Sequence, residues 1–143
     1  MRALIVKSIL AAALAALPAA ALAAEFVLVA NPSVSATAVS RADASRMFLR
    51  LQTAWPEGGN VKPVDQAKSS PVRDAFSREV LGKSLASVEQ YWTQAIFSGR
   101  AVPPVEKRSD ADVLAYVREN PGAIGYVSAS AALDGVKRIA LKD

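Results

Sequence analysis

The amino-acid sequence predicts an α/β fold in which helices cover a mixed, mostly parallel sheet. Short runs of β-forming residues alternate along the chain with segments whose apolar residues repeat at helical spacing, an alternation typical of layered α/β domains. Pro, Gly or Asn residues stand at many of the boundaries between the two kinds of segment. Since no internal repeat or linker interrupts the pattern, residues 24–143 are predicted to form one domain.

The N-terminal segment differs from the rest of the chain. Two basic residues are followed by a nearly uninterrupted apolar run from Ser8 to Ala24. A charged start, an apolar run and small residues at alternate positions are typical of a secretory signal peptide. The alternative is a retained membrane anchor, but Pro18 and the alanine-rich end of the run favour cleavage near Ala23/Ala24. Residues 1–23 are therefore predicted to be a signal peptide, leaving an exported protein without stable membrane insertion.

The first predicted strand, residues 25–30, is a run rich in β-forming residues, which indicates burial on both faces. A polar segment over residues 33–39 is predicted to connect it to a helix. That helix runs from about Arg41 to Gln52, because Ser40 can cap it and apolar residues follow at helical spacing. The residues expected to face the core are Ala44, Met47, Phe48 and Leu51.

The second predicted strand, Val61–Asp65, contains Pro63, which favours an edge or the start of a strand. The next helix is predicted to start after Ser70, whose hydroxyl can cap its first turn, and to stop at Gly82, which readily adopts the left-handed conformation. Ser84 can cap a third helix. The core residues predicted for this third helix are Val88, Tyr91, Trp92, Ala95 and Ile96.

The last third of the chain repeats the alternation. A strand over Pro103–Lys107 precedes a helix capped by Ser109, and Asn120-Pro121-Gly122 ends that helix. A strand over Ala123–Val127 follows, in which Gly125 indicates a close backbone approach or a bulge. Val136–Leu141 is the last predicted strand.

Composition excludes several kinds of chemistry. The chain has no Cys and no His, so it lacks the usual ligands of zinc, copper and haem as well as the residues of a Ser-His-Asp triad or a Cys-His pair. Asp65 and Asp74 remain as acid or base candidates, but carboxylates near a helix start are usually caps or solvated charges. No enzyme activity, cofactor or metal is therefore predicted. The scattered charges, net +2 without the signal peptide, together with export, argue against a nucleic-acid partner.

One ligand site is predicted, in the polar run that opens the second helix. Unpaired amides at a helix start, with the positive end of the helix dipole, favour anions. Ser69 and Ser70 add hydroxyl groups, Arg73 adds a cation able to bind an oxyanion through two hydrogen bonds, and Lys68 adds positive potential. Because ligands of open α/β sheets lie where strands end and helices begin, the strand that precedes this run supports the assignment.

Several spacings taken together resemble the solute-binding proteins of phosphate ABC transporters, and more closely their small, single-lobe relatives. They occur in the order found in that family and cover nearly all of residues 24–143. The resemblance implies a single lobe of a periplasmic-binding-protein-like fold and a location in the periplasm. The segments that carry it are Ser40-Arg-Ala-Asp43, Met47-Phe48-Leu49, Trp55-Pro-Glu-Gly58, Pro63-Val64, Arg73-Asp-Ala-Phe76, Val80-Leu81-Gly82, Tyr91-Trp92, Phe97-Ser-Gly99 and Pro121-Gly-Ala-Ile-Gly-Tyr126.

The same resemblance bears on the predicted anion site. In that family a Ser-Gly-Thr tripeptide followed by Arg holds the anion, and it corresponds here to Ser70-Pro71-Val72 followed by Arg73. The serine and the arginine are kept, whereas Pro71 lacks an amide hydrogen and Val72 lacks a hydroxyl. Each hydrogen bond lost to a charged group costs about 1.5–3 kcal/mol.

Two functions are consistent with the sequence. The first is an exported, non-enzymatic solute-binding protein that takes phosphate or another small oxyanion at Lys68, Ser69, Ser70 and Arg73. The alternative is a ligand-free lobe that acts as a periplasmic interaction or sensory module. Its partner would be a transporter, a membrane sensor or a second copy of the chain.

Overall fold

The computed structural model describes residues 25–143, and the predicted signal peptide lies outside the described residues. Among residues 25–143, no helix is long and apolar enough to cross a membrane. The strands are β1 (Phe26–Ala30), β2 (Ala38–Ser40), β3 (Lys62–Gln66), β4 (Val105–Lys107), β5 (Ala123–Ser128) and β6 (Lys137–Lys142). The helices are α1 (Arg41–Phe48), α2 (Pro71–Phe76, continued by a π-helical turn over Ser77–Leu81), α3 (Leu85–Phe97) and α4 (Asp110–Glu119).

All six strands form one sheet in the order β2-β6-β1-β5-β3-β4. The central strand β1 pairs antiparallel with β5 and β6, whereas the β2–β6, β3–β4 and β3–β5 pairs are parallel. The predicted mixed, mostly parallel sheet is thus confirmed. Because β5, β3 and β4 run in the same direction, their carboxyl ends lie at one edge of the sheet. The helices that follow β3 and β4, namely α2 and α4, begin at that edge.

Apolar side chains pack on both faces of the sheet. In β1, Leu28 and Ala30 belong to one buried cluster and Val29 to the other, because successive side chains of a strand point to opposite faces. Helices α1, α2 and α3 cover the first face, and α4 covers the second with Val113 and Val117. The helices at the shared edge therefore approach it from opposite sides.

An aromatic group fills the larger core. The Phe76 and Tyr126 rings stack with centroids 4.0 Å apart and an interplanar angle of 6°. Phe48 packs edge-on against Phe76, and Phe26 packs edge-on against both stacked rings. Such contacts add about 0.5–1.5 kcal/mol per pair beyond area burial. Phe76 thereby fixes α2 on the sheet and sets the position of its first turn.

Most of the predicted helix signals are confirmed. The hydroxyls of Ser40, Ser84 and Ser109 each accept a hydrogen bond from an amide in the first turn of α1, α3 and α4. Gly82, with φ of 63°, ends the helix formed by α2 and its π-helical turn. Local sequence therefore determines where these elements start and stop.

Three predictions about the first and third helices are wrong, and so is one about the segment that precedes the first helix. Helix α1 ends at Phe48 rather than Gln52, because Arg50 has a positive φ of 60° that breaks the helical conformation, and Leu51 beyond it is 59% exposed. Ile96 is 54% exposed, since α3 buries a narrow stripe formed by Val88, Trp92 and Ala95. The polar segment after β1 also contains the start of β2, whose partner β6 lies about 100 residues further along the chain.

Candidate functional site

A cleft of about 750 Å³ opens at the carboxyl edge of β5, β3 and β4, between the first turns of α2 and α4. Crevices at this position are the usual ligand sites of open α/β sheets. The lining is rich in hydroxyl groups, from Ser69, Ser70, Ser109, Ser128 and Ser130. The cleft can therefore offer many hydrogen bonds to a polar ligand.

Gln66, the last residue of β3, connects the walls of the cleft. Its buried amide nitrogen donates to Asp110 Oδ1 at 2.8 Å and to the Tyr126 carbonyl at 3.0 Å. Its amide oxygen accepts from the Ser70 hydroxyl at 2.8 Å. One side chain thus ties the starts of α2 and α4 to β5, which fixes the width of the cleft at its base.

Ser70 occupies the N-cap position of α2, as predicted, but its hydroxyl does not cap the helix. The hydroxyl instead donates to Gln66. The predicted capping hydrogen bond of Ser70 is therefore wrong, and the reason is competition from a buried amide that the sequence could not place nearby. The first turn of α2 keeps an amide free of side-chain capping, next to the exposed Ser69.

The other two predicted site residues lie apart from this cleft. Arg73 is 3% exposed, and its Nη1 donates to the Gln66 carbonyl at 2.7 Å and to Glu106 Oε1 at 3.2 Å, and lies 3.7 Å from Asp65 Oδ1. Lys68 forms an exposed ion pair with Glu89. Arg73 and Lys68 both line a second, smaller pocket. The structure thus brings Ser69 and Ser70 together in the cleft but separates them from both predicted cations.

The charged groups that do line the cleft are Arg108, Glu25 and Asp110. Partial burial raises the pKa of Asp110, but hydrogen bonds from Gln66 and Ser128 outweigh it, so the pKa lies below its ordinary value. Asp110 is consequently a carboxylate at neutral pH. The cleft carries one cation and two carboxylates, a balance that favours ligands able to donate as well as accept hydrogen bonds.

Sequence reasoning missed Gln66, Asp110 and Arg108 as residues of the site. A signal for them existed, because the rule that ligands lie at the carboxyl ends of strands applies equally to the end of β4, where Arg108 and Asp110 follow. Gln66 directly ends β3. What the sequence did not provide was the pairing of β3 with both β4 and β5, which brings these strand ends together.

No protein-family model matches the chain. No curated protein matches it in sequence either. Solved structures do match: an ABC-type phosphate transport receptor from Vibrio cholerae superposes with a TM-score of 0.64 at 18% identity, covering 81% of this chain and 45% of the receptor.

Two further structures give similar results. A putative phosphate ABC transporter substrate-binding protein with bound phosphate from Clostridium perfringens has a TM-score of 0.64 at 20% identity, covering 81% of this chain and 44% of that protein. PstS from Borrelia burgdorferi has a TM-score of 0.62 at 11% identity, covering 81% of this chain and 46% of PstS. The match spans less than half the length of each of these proteins.

Two of these three names describe a transport receptor and a substrate-binding protein, and none of the three describes an enzyme. Neither they nor the described residues favour the alternative prediction of a ligand-free interaction module. The resemblance to phosphate ABC transporter binding proteins that the sequence predicts is confirmed at the level of the fold, and the chain has the α/β, periplasmic-binding-protein-like fold of these receptors.

Proposed function

We propose that this chain is an exported solute-binding protein that takes phosphate or another small oxyanion in the cleft at the carboxyl edge of its sheet. Residues 24–143 form the binding domain, which acts in the periplasm after residues 1–23 are removed. The observation that supports this most strongly is the position of the cleft, at the uncapped start of α2 and the start of α4. The same fold occurs in a putative transporter protein with bound phosphate.

The oxyanion is held by hydroxyls, backbone amides and one cation. Ser69 supplies a hydroxyl donor, and the Val72 amide supplies the donor that Pro71 lacks. The Ser70 hydroxyl, which donates to Gln66, accepts a hydrogen bond from the protonated oxygen of the oxyanion. Arg108 supplies the positive charge within the cleft. Of the two cations predicted from the sequence, Arg73 acts by holding the Gln66 carbonyl, and Lys68 contributes positive potential from outside the cleft.

The carboxylates of Glu25 and Asp110 restrict which oxyanion can bind. They repel a fully deprotonated dianion, whereas an oxyanion that carries a proton can donate a hydrogen bond to one of them. Phosphate retains such a proton near neutral pH, and sulfate does not. We therefore expect the cleft to prefer phosphate over sulfate at equal ionic strength.

Titration calorimetry on the purified protein tests the proposal. Phosphate is expected to bind with measurable heat. Arg108→Gln is expected to weaken the affinity for phosphate about tenfold or more, because a charge-assisted hydrogen bond is worth about 1.5–3 kcal/mol. Arg138→Gln is the matched control, since Arg138 is also exposed but lies on β6, outside the cleft. Absence of binding at about 10 mM phosphate, or equal losses in both variants, would refute the proposal.

A further inference from the structure

The second pocket, of about 280 Å³, has one apolar wall and one charged wall. Val88, Trp92 and Ile96 of α3, together with Pro103, form the apolar wall. Its volume lies just below the roughly 300–1,000 Å³ of pockets that hold drug-sized molecules. The pocket therefore suits a ligand about the size of an amino acid, with an apolar body and a polar end.

The charged wall contains an arginine with an unused edge. Every hydrogen bond and ion pair of the Arg73 guanidinium with another described residue is made by Nη1. Its Nε is buried and has no hydrogen-bond partner among residues 25–143. Nε and Nη2 together form the edge through which a guanidinium binds a carboxylate with two parallel hydrogen bonds. A buried donor without a partner carries a desolvation cost that an incoming acceptor removes.

The other charges of the pocket decide which acceptor fits. The carboxylates of Asp65, Glu89 and Glu106 outnumber the cations of Lys68 and Arg73 by one. A simple anion would meet repulsion from these carboxylates. Glu106 is half exposed and contacts Arg73 through Oε1, so it can also accept a hydrogen bond from a bound cation. A ligand with one negative and one positive group satisfies both sides.

We propose that this pocket binds an α-amino acid with an apolar side chain, such as leucine. The ligand carboxylate accepts from the guanidinium of Arg73, which lines the pocket, and the ligand ammonium group donates to Glu106. The side chain packs against Trp92 and Ile96. This site is separate from the oxyanion cleft, so its occupancy does not depend on phosphate.

Titration calorimetry with leucine on the purified protein provides the first test. Leucine is expected to bind, while 4-methylpentanoate, which lacks the ammonium group, and 3-methylbutylamine, which lacks the carboxylate, are each expected to bind about tenfold more weakly or worse. Absence of binding at about 10 mM leucine would overturn the proposal, and so would equal affinity for leucine and 4-methylpentanoate.

Two neighbouring residues of α3 give a matched pair of variants. Ile96 is 54% exposed and lines the pocket, whereas Phe97 is 94% exposed and does not. Ile96→Asp is expected to weaken leucine binding about tenfold or more, because it replaces an apolar contact with a fourth carboxylate. Phe97→Asp is expected to leave leucine binding unchanged. Thr93→Trp, which fills the mouth of the pocket from an exposed position, is expected to abolish binding. Unaltered affinity in Ile96→Asp and Thr93→Trp would overturn the assignment, even if phosphate binds normally.

Discussion

Arg73 lies at the centre of a buried network of charges. Asp65 accepts a hydrogen bond from the Tyr126 hydroxyl at 2.6 Å and lies 3.7 Å from Arg73, and both members of the ion pair are almost fully buried. Burial raises the pKa of Asp65, and the charge of Arg73 and the hydroxyl of Tyr126 oppose this effect. The arginine is therefore required to compensate a carboxylate inside the fold, whatever its role toward a ligand.

Replacing this arginine is expected to destabilise the protein strongly. Arg73→Met leaves Asp65 buried without its counter-charge, which should lower the free energy of unfolding by about 3–5 kcal/mol. Arg78→Met is the control, because Arg78 pairs with Asp74 at the surface and its loss should cost less than about 1 kcal/mol. Urea denaturation monitored by circular dichroism measures both values.

A double variant separates charge compensation from packing. Asp65→Asn combined with Arg73→Met removes the unpaired carboxylate, so it is expected to be more stable than Arg73→Met alone. Similar losses in Arg73→Met and Arg78→Met would contradict the assignment of Arg73 to a buried ion pair.

Asp110 should make stability depend on pH. Its pKa in the folded protein lies below the ordinary value of 3.8 because of its hydrogen bonds with Gln66 and Ser128. The carboxylate therefore adds stability above the ordinary pKa, and this contribution disappears as the pH falls through the folded pKa. Asp110→Asn is expected to be less stable than the wild type at neutral pH, with a difference that shrinks in acid. Urea denaturation of both proteins at several pH values measures this difference in the free energy of unfolding. A difference that does not change with pH would argue against the depressed pKa of Asp110.

At the scale of elements, Gly125 controls how closely α4 approaches the sheet. A Cβ atom at this position in β5 would lie 2.7 Å from Val64 Cγ1 and 2.9 Å from Val113 Cγ1. These distances are shorter than normal carbon contacts, so any side chain would push α4 away from β3 and β5. The close approach predicted at Gly125 is found, but side-chain methyl groups make it rather than the backbone.

Gly125→Ala is accordingly expected to lower the free energy of unfolding by about 1–3 kcal/mol through overpacking. Val64→Ala removes one of the two clashing methyl-bearing groups but also leaves a space in the core. The double variant should therefore lose less stability than the sum of the single variants. Additive losses in thermal or urea denaturation would show that Gly125 is not a packing contact.

Helix signals in the sequence identified the starts and ends of elements better than their exposed faces. Ser84 and Gly82 act through neighbours within five residues, so their roles follow from local sequence. Leu51 and Ile96 fit a helical repeat, but their burial depends on how much of each helix the sheet covers. A periodic pattern defines a face and does not say how wide the contact is.

At the scale of the whole molecule, the pairing of distant strands creates the candidate site. Strand β5 pairs with β1 on one side and with β3 on the other, and β3 also pairs with β4. This order gathers Gln66, Arg108 and Ser128 at one edge, although they are far apart in the sequence. Helices from opposite faces of the sheet close the resulting cleft.

The sequence by itself determined the α/β class, the order of most elements and the position of the run from Lys68 to Arg73 at a helix start. These features follow from side-chain periodicity, capping residues and turn residues, which act over a few positions. Only the tertiary structure decided which of those residues face the cleft. Arg73 turns inward because Asp65 and Glu106, on two paired strands, meet its guanidinium there, and such a contact depends on strand pairing rather than on local sequence.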